Sequence, residues 1–164
     1  METNILPKLR LPQLRRHPEF RGQSVATGEW VFGSLLDHTL PDGCCDFCAA
    51  IGVPYQDGIG IRLKPIPVKV ETVGECTAAK DRNGNYVYED DALKQEDADG
   101  VYVVFYNEKY TRWEARHTYG FTVELSQLLP PPSAMGQPQP NYLDAEIVGN
   151  IHDDPTLGKT RKKV

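Results

Sequence analysis

Long apolar runs are missing from this chain of 164 residues. A membrane-spanning helix needs roughly 20 consecutive apolar residues, and no stretch of the sequence approaches that length. The first residues also lack the apolar core of about 7–15 residues that marks a secretory signal peptide. We therefore expect a cytoplasmic protein that makes no membrane contact and keeps its cysteines reduced.

Uninterrupted helical segments are equally scarce. Thirteen prolines and fourteen glycines divide the chain, and both residues are unfavourable inside helices. Short β-branched and aromatic runs replace them, such as residues 101–106 (VYVVFY). The pattern predicts a mainly β fold of short antiparallel strands with little helix, forming an N-terminal hairpin and a small, partly open, SH3-like barrel.

Composition divides the chain into three parts. Residues 1–17 form a basic, proline-interrupted N-terminal arm, and residues 158–164 form a basic C-terminal tail. Residues 18–157 between them carry the strand patterns of one β domain. A proline-rich loop at residues 130–140 lies inside that domain, and its composition predicts an extended segment.

A recognisable catalytic constellation is also missing. The histidines fall in separate segments, no serine lies in a nucleophile-elbow context, and no glycine loop suited to phosphate precedes a helix. No catalytic residue is therefore predicted, and we expect a protein that is not an enzyme. A metal-dependent enzyme with an unrecognised site remains an alternative.

The four cysteines are the sharpest chemical feature. They are Cys44, Cys45, Cys48 and Cys76. The spacing of Cys45 and Cys48 lets two thiolates reach one tetrahedral zinc ion, but a second pair at that spacing is absent. Structural zinc is thus the only cofactor that the sequence suggests, and redox chemistry and buried or loop thiols are the alternatives.

Acidic residues outnumber basic ones, and the net charge is −5. This balance is unfavourable for a general nucleic-acid-binding protein, although stacking of bases on Trp30 and Trp113 remains an alternative to their packing in the core. One acidic cluster forms either a solvated loop or a surface for a basic partner; its members are Glu89, Asp91, Glu96, Asp97 and Asp99.

Residues 81–92 (DRNGNYVYEDDA) resemble a calcium loop at first sight. A calcium loop of the EF-hand kind needs glycine at its sixth position and glutamate at its twelfth. Here Gly84 is at the fourth position and Ala92 at the twelfth. The dipeptide Asn83-Gly84 instead favours a type I′ turn, so the stretch predicts a β-hairpin.

Three separated segments together resemble the YopX-like proteins of bacteriophages and prophages. They are FRGQSVATGEWVFGSLL (20–36), ETVGECTAAKDRNGNYVYEDDAL (71–93) and AEIVGNIHDDPTL (145–157). The matching positions include Arg21, Trp30, Gly84, Asp91 and Asn150. Ala78 and Asp90 depart from the family pattern, because each replaces a turn glycine.

The resemblance implies a mostly β protein encoded by a phage and located in the cytoplasm of the bacterial host. It transfers no catalytic residue to this chain. We therefore expect a non-enzymatic protein that binds a host or phage protein and that forms a homo-oligomer. A nucleic-acid-associated β-barrel module is the second hypothesis.

Overall fold

The structure of the protein is a computed structural model that describes residues 18–36, 48–57, 60–130 and 142–160. The predicted N-terminal arm, most of the cysteine-rich stretch, most of the proline-rich loop and the end of the C-terminal tail lie outside these ranges. In the part that is described, no helix is long and apolar enough to cross a membrane.

The first sheet contains six strands. They are β1 (Phe20–Gln23), β2 (Trp30–Leu36), β3 (Cys48–Asp57), β4 (Gly60–Lys69), β5 (Gly74–Lys80) and β6 (Tyr86–Tyr88). All neighbours are antiparallel, and the strand order is β4-β3-β2-β1-β5-β6. A short 3₁₀ helix (Val70–Thr72) joins β4 to β5. The predicted N-terminal hairpin is confirmed as β1 and β2.

The second sheet contains five antiparallel strands. They are β7 (Asp91–Lys94), β8 (Tyr102–Asn107), β9 (Arg112–His117), β10 (Thr122–Glu124) and β11 (Glu146–Asn150). The strand order is β10-β9-β8-β7-β11, so the last strand returns to pair with β7. A 3₁₀ helix (Leu125–Leu128) follows β10. The prediction of a mainly β, partly open fold is confirmed, and the two sheets do not close into a barrel.

The main hydrophobic core lies against the second sheet. Side chains from β6 to β9, the second 3₁₀ helix and the segment before β11 fill it; the buried members are Val87, Leu93, Tyr102, Val104, Ala115, Leu125, Leu128, Leu143 and Ala145. Alternating buried and partly buried residues along β8 match the period of two expected for a strand with one covered face. Apolar burial here supplies most of the driving force for folding.

The first sheet curls so strongly that its fourth strand returns to its first. Ser24, directly after β1, forms an isolated antiparallel bridge with Val68 of β4. Such tight curling requires small residues, and a Cβ built on Gly33 would lie 2.2 Å from the Gly52 carbonyl oxygen. Ile51 and Val68, both 0% exposed, fill the interior of the curl.

The stretch 81–88 forms a hairpin turn, as predicted, but of a different type. The Gly84 amide donates to the Asp81 carbonyl (3.0 Å), and the Asp81 amide donates to the Asn85 carbonyl (2.8 Å). Gly84 has a positive φ of 87°, whereas Asn83 does not. The turn is therefore type I followed by a left-handed glycine rather than the expected type I′.

The Asp81 side chain explains why this turn type forms in place of type I′. Its carboxylate is 0% exposed and accepts bonds from the amides of Asn83 (2.9 Å), Asn85 (2.8 Å) and Ile147 (3.3 Å). The first two bonds hold the turn, and the third ties it to β11 of the second sheet. Asp81 is thus a structural acceptor of backbone N–H groups.

The two positions that depart from the family glycines both have left-handed backbones. Ala78 has a φ of 63°, and Asp90 has a φ of 68°. The left-handed region costs a residue with a Cβ roughly 1–2 kcal/mol, and aspartate tolerates it better than alanine does. Ala78 therefore carries backbone strain that a glycine would not.

We predict that Ala78→Gly stabilises the protein by about 1 kcal/mol, because the exposed Ala78 side chain loses no packing and the strain is relieved. Ala79→Gly is the matched control: Ala79 has an ordinary strand backbone and packs against the core, so it should destabilise by roughly 0.5–1 kcal/mol. Urea unfolding measures both, and equal effects of the two changes would contradict the prediction.

Candidate functional site

A buried ion pair joins the two sheets. The Arg21 guanidinium of β1 lies 2.7 Å from the Asp91 carboxylate of β7, and these residues are 8% and 1% exposed. The rings of Trp30 and Tyr88 lie 4.6 Å and 5.0 Å from the guanidinium carbon. The cation is thus held by aromatic faces as well as by its carboxylate partner.

Hydrogen bonds complete the environment of this pair. Asp91 accepts from the Tyr88 amide (2.8 Å) and from the Asn150 side chain (3.4 Å), while Arg21 donates to the Glu89 carbonyl oxygen (2.9 Å). Burial raises the pKa of Asp91, and the attraction of Arg21 opposes that rise without cancelling it. Four residues that carry the family resemblance therefore meet at one buried junction: Arg21, Trp30, Asp91 and Asn150.

The turn after β11 closes the same junction from outside. Asp153 accepts from the side chains of Gln23 (2.7 Å) and Trp30 (3.0 Å), and His152 Nε2 lies 2.8 Å from the Asp90 carboxylate. One short segment near the end of the chain thereby contacts the first sheet and the β6–β7 turn. These side chains bond one another, so the arrangement stabilises the fold.

The structure separates the five residues of the predicted acidic patch. Asp91 is not a surface residue, because its carboxylate is the buried partner of Arg21. Glu89 is only partly exposed, and burial raises its pKa. The remaining three share the exposed turn between β7 and β8: Glu96 pairs with Arg82 (3.0 Å), Asp97 is exposed, and Asp99 accepts from the Tyr119 hydroxyl.

The cysteines are only partly described. Cys44 and Cys45 lie outside the described residues, and Cys48 begins β3 without a described side chain. Cys76 of β5 is a buried free thiol, and burial raises its pKa. Among the described residues, no three histidine, cysteine or acidic side chains come close enough to hold a metal ion. The zinc site remains a prediction.

A cleft of about 330 Å³ opens between the β5 bulge and the edge of the second sheet. Its apolar side chains come from β9, from the second 3₁₀ helix and the residue after it, and from the segment before β11: Trp113, Leu125, Leu129 and Leu143. Thr77, Ala78 and Ala79 supply the opposite wall. The irregular pairing of β5 with β6 between Cys76 and Lys80 shapes this wall, because a bulge bends its strand.

Charged groups line one rim of the cleft and are already paired. Arg112 lies 2.8 Å from Glu114 and also bonds Glu124, and the Ser126 hydroxyl donates to Glu124 (3.2 Å). Hydrogen bonds from Asn107 and Arg112 lower the pKa of Glu114, and the bond to Glu114 raises the pKa of Arg112. Such a rim can orient a ligand, because its charged groups hold one another in place.

Comparison with models of protein families identifies the family of the chain. The model described as YopX protein matches residues 20–158. The chain belongs to the YopX family. The match contains the Arg21–Asp91 junction and all the residues that line the cleft. A search of the curated proteins found no match.

The sequence did not reveal the cleft of this YopX protein. Trp113 was expected either in the core or as a base-stacking residue; it packs partly against the core and also lines the cleft. Leu125 and Leu129 gave a weak signal, since a short apolar run before a proline-rich segment indicates only a helical turn. The wall opposite them depends on the β5 bulge, which no local pattern predicts.

We predict that Arg21→Ala destabilises the protein by roughly 3–5 kcal/mol, because it leaves the Asp91 carboxylate buried without its partner. Arg62→Ala is the control: it breaks the Arg62–Asp57 pair of 2.6 Å, whose arginine side chain is 56% exposed, and should cost less than about 1 kcal/mol. Chemical unfolding measures the contrast. Similar losses for both variants would show that the junction is not central.

Proposed function

We propose that this YopX protein is a phage-encoded, non-enzymatic binding protein that acts on a host or phage protein in the bacterial cytoplasm. The observation that carries the proposal is the cleft, in which an apolar floor lies beside a rim of paired charges. Pockets with apolar walls and a few fixed polar groups are typical of binding sites.

The size of the cleft favours a small binding epitope. A volume of about 330 Å³ lies at the lower end of the range of roughly 300–1,000 Å³ that ligand sites occupy. It can accept one or two apolar side chains of a partner protein, while Arg112 and Glu124 contact the polar backbone beside them. Trp113 supplies the aromatic surface that often dominates such contacts.

The hydrogen bonds of the cleft support binding over catalysis. The carboxylate that lines it, Glu124, is bonded by Arg112 and accepts from the Ser126 hydroxyl (3.2 Å). Thr77 is likewise engaged, since its hydroxyl donates to the Val87 carbonyl oxygen (2.9 Å). The polar groups around the cleft therefore serve the fold and can orient a ligand.

We predict that Ser126→Arg weakens partner binding by about tenfold or more, because Ser126 lies exposed at the cleft and a long charged side chain there would fill the opening. Gln127→Arg is the matched control, since Gln127 is exposed in the same 3₁₀ helix and does not line the cleft. Affinity capture from host cells carrying the phage, followed by titration of each recovered protein, compares the variants.

Recovery of one protein by the wild type and by Gln127→Arg, with at least about tenfold weaker binding to Ser126→Arg, is the expected result. A partner that binds both variants equally would contradict the cleft as its site. Salt-dependent recovery of DNA or RNA in place of protein would favour the nucleic-acid hypothesis. Stoichiometric metal with turnover of a substrate would favour an enzyme.

A further inference from the structure

The β3–β4 hairpin extends beyond the sheet that supports it. β3 and β4 pair along all ten residues of each strand, whereas β2 pairs with β3 only at residues 50–52. Residues 53–57 and 60–64 therefore form a two-stranded projection roughly 16 Å long, which we term the finger. An isolated two-stranded hairpin is marginally stable in water, so the finger gains most from a further surface to pack on.

Large apolar side chains cover the finger. Ile61 and Leu63 of β4 are 67% and 47% exposed, and they share one face of the finger with the exposed Pro54 of β3, which is the register partner of Leu63. Tyr55, 45% exposed, lies on the opposite face. Single exposed apolar residues are ordinary, but a group of them on one projecting element indicates an interaction surface.

Among the described residues, no strand pairs with the side of β4 that faces away from β3, and this edge is blocked by prolines near the body but not at the finger. Pro65 and Pro67 lack an N–H group, and the Pro67 carbonyl accepts from the Val25 amide (3.0 Å), which shows that this residue points away from β3. Backbone direction alternates along a strand, so Ile61 and Leu63 also direct their N–H and C=O groups outward. These two residues can accept a further strand or a polar loop.

Charge identifies the kind of surface that suits the finger. The finger carries Arg62, Lys64 and Asp57, and Arg62 lies 2.6 Å from Asp57, so Lys64 supplies its net charge of +1. The described residues outside β3 and β4 carry eighteen acidic and eight basic side chains. The finger thus has the opposite sign from the body of its own chain, and attraction between Lys64 and an acidic surface favours contact with a second copy.

The β7–β8 turn offers a surface with both complementary properties. Glu96, Asp97 and Asp99 are exposed there, and Asp99 bonds the Tyr119 hydroxyl. Next to Tyr119 lies His117, whose ring stacks on Phe121 with centroids 4.4 Å apart. Phe121 is 49% exposed. The apolar face of the finger can therefore lie on Phe121, while the long side chain of Lys64 on its edge strand reaches the acidic groups beside it.

We propose that the finger is a self-association element that docks on the acidic β7–β8 turn and Phe121 of a second copy of this chain. Two copies related by a two-fold axis can each give one finger and receive one, which closes the assembly. The contact does not involve the cleft. Self-association and partner binding are therefore separable, and the Ser126→Arg variant should associate as the wild type does.

We predict that the double variant Ile61→Glu/Leu63→Glu weakens self-association of the full chain by about tenfold or more, because it places charges among the buried side chains of the contact. Val148→Glu is the control, since Val148 is 42% exposed on β11 of the other sheet. Sedimentation velocity over a concentration series measures the association constants, and circular dichroism verifies that each variant is folded.

Charge reversal tests the docking surface. Lys64→Glu and Asp97→Lys should each weaken self-association, and a mixture of the two variants should associate again because unlike charges face each other once more. Restored association in the mixture supports the proposal. A wild-type chain that stays monomeric, finger variants that associate normally, or a mixture that stays monomeric would each overturn it.

Discussion

The Arg21–Asp91 ion pair is the interaction on which the arrangement of the two sheets depends. Its members lie on the first strand of one sheet and the first strand of the other, and both are removed from water. A buried charge is unfavourable unless its partner is in place. The native orientation of the sheets is the one that brings these charges together, and other orientations leave a cation or an anion unpaired. Burial of Tyr88 beside them, which raises its pKa, belongs to the same constraint.

Around this junction, the family signatures have a common structural meaning. Trp30 covers the cation, Tyr88 and Asn150 bond the anion, and Asp81 fixes the nearby hairpin through backbone amides. None of these groups is free to react with a substrate, because each is engaged with another part of the fold. The surfaces that remain for function lie away from the junction, at the cleft and at the finger.

The sequence predicts the strands better than it predicts the site. Alternation and β-branched residues identified the N-terminal hairpin and β8, and Asn83-Gly84 identified a turn, because these signals act between neighbouring residues. The turn type was wrong, since the Asp81 carboxylate bonds the amides of Asn83 and Asn85 in a way that a dipeptide rule does not contain. Local charge likewise grouped Asp91 with exposed acids, although its partner is seventy positions earlier in the chain. The cleft is formed by three segments and a bulge, so no single stretch of the sequence predicts it.

The long separation between bonded residues has a consequence for how the chain reaches its native state. Gln23 and Asp153 are 130 positions apart. The ion pair of Arg21 likewise forms only after Asp91 and its partner Asn150 have been synthesised. During synthesis, the first hairpin leaves the ribosome well before its electrostatic and hydrogen-bonding partners exist. Because contacts between distant positions are slow to form, these contacts form late, and the nascent first sheet remains open to unwanted pairing until the segment that contains Asn150 and Asp153 has been synthesised.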